Sequence, residues 1–337
     1  MQNYINYLPI YSRHAIFNLI EAPRDVGKTF TAKLWGTKRF LKCGKKFVWV
    51  RRTEEETKVA KGKFFKKKHL KMLGISPEDV RIKGNYGYIK RGRKWVDFVE
   101  FCSLATAEKQ RSVDDEDYDF MFVDEAFATP AKRAVYKGDE VRDFIDLFIS
   151  KKREHKMTAF LIGNKETINN PYFQYFGITP PPDGFEGVRM FRNGTVCVWT
   201  FSDFVESEDH DQMTALLQGT PYYEYMFKGA AKCATPVRLE KTPKNARFYC
   251  AFDFGTPVTI SRHNGRFFAR GGLDPSRNVF VSRETMGKYA VQILCTRRDK
   301  TRFAGVERAY KSNSISYDTN LTAETVLSIF EQIGIAK

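Results

Sequence analysis

The chain has 337 residues, 42% hydrophobic and 15% aromatic, a composition that suits two folded domains and excludes a disordered tail. Its formal charge of +16 is spread along the whole sequence, so a polyanion, nucleic acid or an anionic membrane, is the expected partner. No apolar run approaches the ~20 residues that cross a bilayer, and Met1-Gln2-Asn3-Tyr4 does not open a signal peptide. Six scattered cysteines without a C-x-x-C pair, and five isolated histidines, argue against a metal cage and for reduced thiols in a cytoplasm.

An apolar segment, residues 15–20, predicts a strand that runs toward Ala22-Pro23-Arg24-Asp25-Val26-Gly27-Lys28-Thr29, and a helix-compatible stretch follows at 30–41. Strand, loop and helix in that order make a Walker A loop, with Ala22 where the first glycine usually stands. Loop amides at a helix N-terminus can wrap phosphates, and the helix dipole favours the anion. Lys28 would bridge the β and γ phosphates of ATP, and the Thr29 hydroxyl would hold Mg2+. Asp25, Val26, Gly27 and Phe30 complete the expected nucleotide contact. Arg24 either reaches the phosphates or pairs with a surface carboxylate.

Phe47-Val48-Trp49-Val50 reads as a buried strand ending in Arg51-Arg52, and residues 61–71 as a lysine-dense helical stretch. Alternation around glycines over 81–101 predicts a β-hairpin. Phe120-Met121-Phe122-Val123 is an apolar strand that leads straight into Asp124-Glu125, the Walker B pattern. A carboxylate at that strand tip, Asp124, can hold the Mg2+ shell, and Glu125 is placed to take a proton from attacking water. Helical periodicity over 135–150 precedes Lys151-Lys152-Arg153-Glu154; on its residues alone Arg153 reads as part of a solvated basic loop, with an arginine finger as the other reading. Residues 158–162 form another apolar strand, closed by Gly163-Asn164. Asn164 is by itself a turn residue or a group that orients water or senses the γ-phosphate. Strands alternating with helices predict a mostly parallel sheet with its site at the strands' C-terminal edge.

Beyond a proline-rich loop, Asn193-Gly194 marks a hairpin between strands at 188–191 and 195–201. The expected organisation is an N-terminal P-loop ATPase domain over 1–201, a linker or small helical subdomain over 202–245, and a third domain over 246–337. This last part predicts short strands at 248–252, 267–269 and 278–282 and a closing helix at 323–333. Asp253, after an apolar strand, with Asp274, Glu307 and Asp318, are its candidate nuclease acids. Fourteen Lys/Arg against eight Asp/Glu over 246–337 suit holding nucleic acid better than cutting it.

Taken together, these residues resemble the DNA-packaging ATPases of small tailed phages, the phi-29-like type of the ASCE ring motors. The resemblance runs through Asn18-Leu19-Ile20, the phosphate loop, Phe47-Val48-Trp49-Val50-Arg51-Arg52, Phe122-Val123-Asp124-Glu125, Asn164 and Asn170-Pro171-Tyr172-Phe173, with a thinner echo at Asp274-Pro275-Ser276 and Asn278-Val279-Phe280. It implies an ASCE ATPase domain with a mostly parallel sheet, a small linker domain and a C-terminal α+β domain of vestigial RNase H-like nuclease fold. It also implies a homopentameric ring in the host cytoplasm, transiently docked on the portal vertex of an empty prohead, that drives double-stranded DNA inward with ATP and Mg2+ and without a membrane. By the same resemblance Arg153 becomes a trans-acting arginine finger. Lys109 matches a basic lid residue that meets nucleotide across subunits, with Arg111 close enough to substitute. A structural RNA at the docking site stays open. Two other readings remain: a terminase-like enzyme whose C-terminal nuclease is active, and a basic scaffold that keeps a degraded phosphate loop.

Overall fold

Two sheets organise the chain, one of nine strands and one of seven, each within its own compact unit. The computed structural model describes residues 4–23, 26–107, 118–127, 139–153, 155–164, 170–178, 185–201, 238–283 and 285–336. The expected linker, 202–245, lies largely outside them.

The first sheet comprises β1 (Phe17–Glu21), β2 (Phe47–Arg51), β3 (Val80–Lys83), β4 (Tyr86–Arg91), β5 (Lys94–Ser103), β6 (Phe120–Asp124), β7 (Thr158–Gly163), β8 (Gly187–Phe191) and β9 (Val196–Thr200). Their order is β3-β4-β5-β2-β6-β7-β1-β9-β8. The six strands from β5 across to β9 run parallel; on one side β4 is antiparallel to β5 and β3 to β4, and on the other β8 is antiparallel to β9. Parallel strands covered on both faces need continuous apolar runs, and Phe47 to Val50, Phe120 to Val123 and Ala159 to Ile162 are buried throughout.

The helix Lys28–Cys43 carries the chain from β1 to β2 and packs over the intervening β7 and β6. Gly36 lets it come close: a Cβ there would lie 3.0 Å from Phe47 and 3.2 Å from Phe122. Phe122 stacks on Phe160 with centroids 5.0 Å apart, and Tyr7 and Trp35 close over both rings edge-on. Two expectations change. The lysine-dense stretch is two helices, Glu54–Gly62 and Lys67–Leu73; between them Phe64 turns inward against Trp49 and Phe101, and that packing breaks the run. Residues 80–103 form a three-stranded meander rather than a single hairpin.

The second sheet holds β10 (Arg238–Leu239), β11 (Arg247–Asp253), β12 (Pro257–His263), β13 (Arg266–Gly271), β14 (Val279–Val281), β15 (Gln292–Leu294) and β16 (Ile315–Tyr317), ordered β10-β16-β13-β12-β11-β14-β15. β11, β12 and β13 are an antiparallel meander; β14 and β15 lie parallel to β11, and β16 and β10 parallel to β13. Val306 from the helix Ala304–Lys311, and Val326, Ile329 and Phe330 from Asn320–Gln332, share a core with Phe252, Ile260 and Phe267.

Lys33 leaves the helix Lys28–Cys43 into a box between Trp49 and Phe64, its ammonium 5.4 Å and 4.9 Å from the ring centroids. It donates to the Lys63 carbonyl at 3.5 Å. Burial pulls its pKa down to about 8 from 10.5, against the opposing pull of Asp124. Between those values the unfolded chain binds a proton that the folded chain has lost, so stability rises with pH across that window. In urea unfolding at stepped pH, the Lys33 contribution should reach about 1.4 kcal/mol per pH unit there, read as the difference in slope between the unchanged protein and Lys33→Met. Identical slopes in the two would contradict a buried, titrating Lys33.

Candidate functional site

Four neighbouring parallel strands, β2, β6, β7 and β1, deliver their C-terminal ends to one edge of the first sheet. The registers Glu21 with Gly163, Asp124 with Ile162, and Val50 with Val123 bring these ends level. In consequence Ala22-Pro23 and Val26-Gly27 at the two ends of the loop, Asn164, Asp124-Glu125 and Arg51-Arg52 all emerge on that edge. Main-chain bonds from Ala22 N to Gly163 O (3.3 Å) and from Ala126 N to Ile162 O (2.9 Å) tie the first three together.

Gly27 ends the loop with φ 70°, a left-handed conformation that glycine takes without a Cβ penalty, and caps the helix Lys28–Cys43. The Tyr4 ring lies against it, 2.4 Å from where a Cβ would stand, so the site demands glycine twice over. Buried Val26 precedes it. Lys28 is buried too, and its ammonium donates to the carbonyls of Ala22 (2.8 Å) and Pro23, which holds the charge across the loop. Tyr7 donates from Oη to the Lys28 carbonyl at 3.2 Å. Phe30, one turn on, stacks on His69 at 4.0 Å.

Thr29 Oγ1 donates to Asp124 Oδ1 at 2.7 Å. Although β1 and β6 stand two strands apart, the crossing helix closes that gap. Asp124 Oδ2 receives Arg51 Nη1, also at 2.7 Å, and Arg51 Nη2 lies 3.3 Å from Glu125 Oε1. Burial raises the Asp124 carboxyl above its ordinary value, against the lowering pull of Arg51 and the Thr29 hydroxyl. Burial also works against the Arg51 guanidinium, yet Asp124 and Glu125 outweigh it and lift its pKa. A hydroxyl and a carboxylate at this spacing are the hard oxygen donors that suit Mg2+. Backbone amides at the helix N-terminus and the Lys28 ammonium suit an anion beside it.

Glu125 has φ 58°, and its side chain is 56% exposed, so the carboxylate reaches solvent beside buried Asp124. Asn164 follows β7, between the other two strand ends. Arg153 is not brought to this cluster. It caps the far end of the helix Glu140–Lys152, which rises ~20 Å from its first residue. Arg24, Asp25 and Lys109 lie outside the described residues. The sequence reading gave Arg51 and Arg52 no role; Arg51 faces the acids because β2 pairs with β6. Its one local signal was a cation at the tip of a buried strand.

A family model described as Podovirus DNA encapsidation protein (Gp16) matches residues 1–335. The DNA packaging protein of Bacillus phage phi29 is 20% identical over 340 residues, 98% of each chain. Among solved structures, a chain of the bacteriophage Phi-29 viral genome packaging motor assembly superposes with a TM-score of 0.71 at 18% identity, covering 98% of this chain and 99% of its own. The Phi-28 gp11 DNA packaging motor gives 0.63 at 15% identity, with 99% and 98% covered. These likenesses establish a shared fold over nearly the full length.

Removing the guanidinium strands a buried charge. Arg51→Met should cost about 3 kcal/mol of stability because Asp124 loses its cation. The double variant Arg51→Met/Asp124→Asn should cost less than the sum of the two single changes, since a neutral amide does not need the partner. Denaturant titrations of the four proteins read this coupling, and strict additivity would refute it.

Proposed function

Because the chain belongs to the Podovirus DNA encapsidation protein (Gp16) family, we propose that it is an ATP-driven translocase that packages double-stranded DNA into a prohead. The observation that carries this reading is the 2.7 Å contact of Thr29 with Asp124 at a helix N-terminus, with Lys28 over the loop and Glu125 beside it. Lys28 and the amides of 24–30 would bind the phosphates of ATP, and Thr29 with Asp124 would hold Mg2+, which when bound offsets charge on the transferring phosphoryl group. Glu125 takes a proton from water as the water oxygen attacks the γ-phosphorus and the bond to the β-phosphate oxygen breaks. To do so it exchanges its contact with Arg51 for one with water. Asn164, at the end of β7, would orient that water. Arg153, ~20 Å along its helix from this cluster, suits a finger offered to a neighbouring copy, and Lys109 a second contact across that joint.

The same reading places copies of the chain in a ring, a pentamer, on the prohead portal vertex in the host cytoplasm. Its parts are the ATPase domain 1–201, the linker 202–245 and the nucleic-acid-binding domain 246–337. The meander β11-β12-β13 with parallel β14 and β15 supports an RNase H-like assignment for that last domain. An inactive nuclease is favoured by the company its acids keep. Asp253 accepts from Tyr289 Oη at 2.7 Å and from Gly255 N at 2.8 Å, with Lys288 Nζ at 3.5 Å. Asp318 follows β16, three strands from β11 and so ~14 Å away. It accepts from Gly271 N. Asp274 is taken by Ser276, and Glu307 by Lys300 and Lys311.

Lys28→Ala should lose nucleotide binding, whereas Glu125→Gln should keep it and lose turnover by roughly 100-fold or more; unimpaired hydrolysis by Glu125→Gln would end this mechanism. DNA affinity should fall linearly in log–log plots against salt, by roughly 0.9 for each phosphate contacted, and without base preference. A salt-independent affinity would remove the translocating grip. Mg2+- or Mn2+-dependent nicking that disappears with Asp253→Ala would instead establish an active nuclease.

A further inference from the structure

Arg51 and Arg52 leave β2 side by side, and alternation along the strand sends them to different partners. Arg51 takes the two carboxylates. Arg52, with its side chain only 6% exposed, takes Glu140 Oε2 from Nε at 3.1 Å and approaches the Glu125 carbonyl from Nη2 at 3.4 Å. Its own main chain is fixed: the amide donates to Glu56 Oε2, and the carbonyl accepts from Ala105 N and Ser103 Oγ.

Each end of this contact matters. Glu125 sits at φ 58°, where a side chain is rarely tolerated unless the surroundings hold it. Glu140 opens the helix Glu140–Lys152, capped by Asp139 and closed by Arg153. Near its far end Lys151 pairs with Glu100 at 2.7 Å, both 6% exposed, so buried ion pairs fix this helix at both ends. A guanidinium can serve a carboxylate and a carbonyl at once through its rigid fork, which a lysine ammonium cannot reproduce.

We propose that Arg52 is a positioning residue that joins the main chain of Glu125 to the helix ending in Arg153. One buried guanidinium thereby ties the base of its own site to the first turn of the helix that presents a finger to the next subunit, while the Lys151–Glu100 pair holds the helix's other end. The proposal rests on the reading of Glu125 as base and Arg153 as trans-acting finger, and it goes beyond that reading by linking the two within one chain.

The test is DNA-stimulated ATP hydrolysis by mixed assemblies of the full chain. Arg153→Ala subunits keep their own base but lack a finger, and Glu125→Gln subunits should restore their activity by supplying one. Substituting Arg52→Lys for Glu125→Gln as the donor should give at most a tenth of that recovery. Glu140→Gln, isosteric and outside the nucleotide loop, should fail as a donor in the same way, which keeps the test sound if Arg52→Lys folds poorly. Arg52→Lys alone should lower kcat per folded, nucleotide-binding subunit with an unchanged KM for ATP. The folded fraction is counted by stoichiometric titration with a non-hydrolysable ATP analogue, so that loss of stability is separated out. If Glu125→Gln rescues and both other donors rescue equally well, the positioning role is overturned while the finger stands. If Glu125→Gln itself fails to rescue, the finger reading falls and this proposal with it.

Discussion

A carboxylate buried at the end of a hydrophobic strand is tolerable only when both its oxygens are answered. At Asp124 the answers come from two other elements, the first turn of the helix Lys28–Cys43 through Thr29 and the tip of β2 through Arg51. This one group therefore ties the first turn of that helix, β6 and β2 to one another, beside the Lys28 and Tyr7 bonds that also hold the helix N-terminus. The cation that answers Asp124 also reaches Glu125, so one guanidinium holds both neighbouring carboxylates.

The loop and the acidic pair were legible because their information is local. A short apolar strand before Ala22, glycine at Gly27, and another apolar strand before Asp124 need no knowledge of sheet order. Arg51 was silent because its meaning depends on β2 lying beside β6, a pairing of residues more than seventy positions apart. Asn164 was ambiguous for the same reason. As a turn residue it is ordinary, and it reaches the same sheet edge as the loop and the acids only because β7 inserts between β6 and β1. In the C-terminal part β15 and β16 are three residues each, too short to show a period. The lysine-dense stretch misled because helix propensity speaks for the lysines, whereas the buried ring of Phe64 decides where the chain turns.

Asp124 and Asp253 make an instructive pair. Both end a central strand, both are buried, and both looked like metal-binding acids in the sequence. Asp124 faces a hydroxyl on a helix N-terminus, an arrangement a hard cation can enter. Asp253 is met by a phenol, an ammonium and a backbone amide, which tie its carboxylate to Tyr289, Lys288 and Gly255. Burial at a strand tip is common to both; their neighbours differ.

The two margins of the nine-stranded sheet carry a last consequence. β3 ends one side as a short strand with Arg81 and Lys83 outward, and β8 ends the other with Arg189 folded over Phe185 and Phe191. Short, cationic borders of this kind discourage backbone zippering between copies. At these two borders the hydrogen-bond ladder of the sheet ends with the chain itself, and a second copy has little exposed strand to extend.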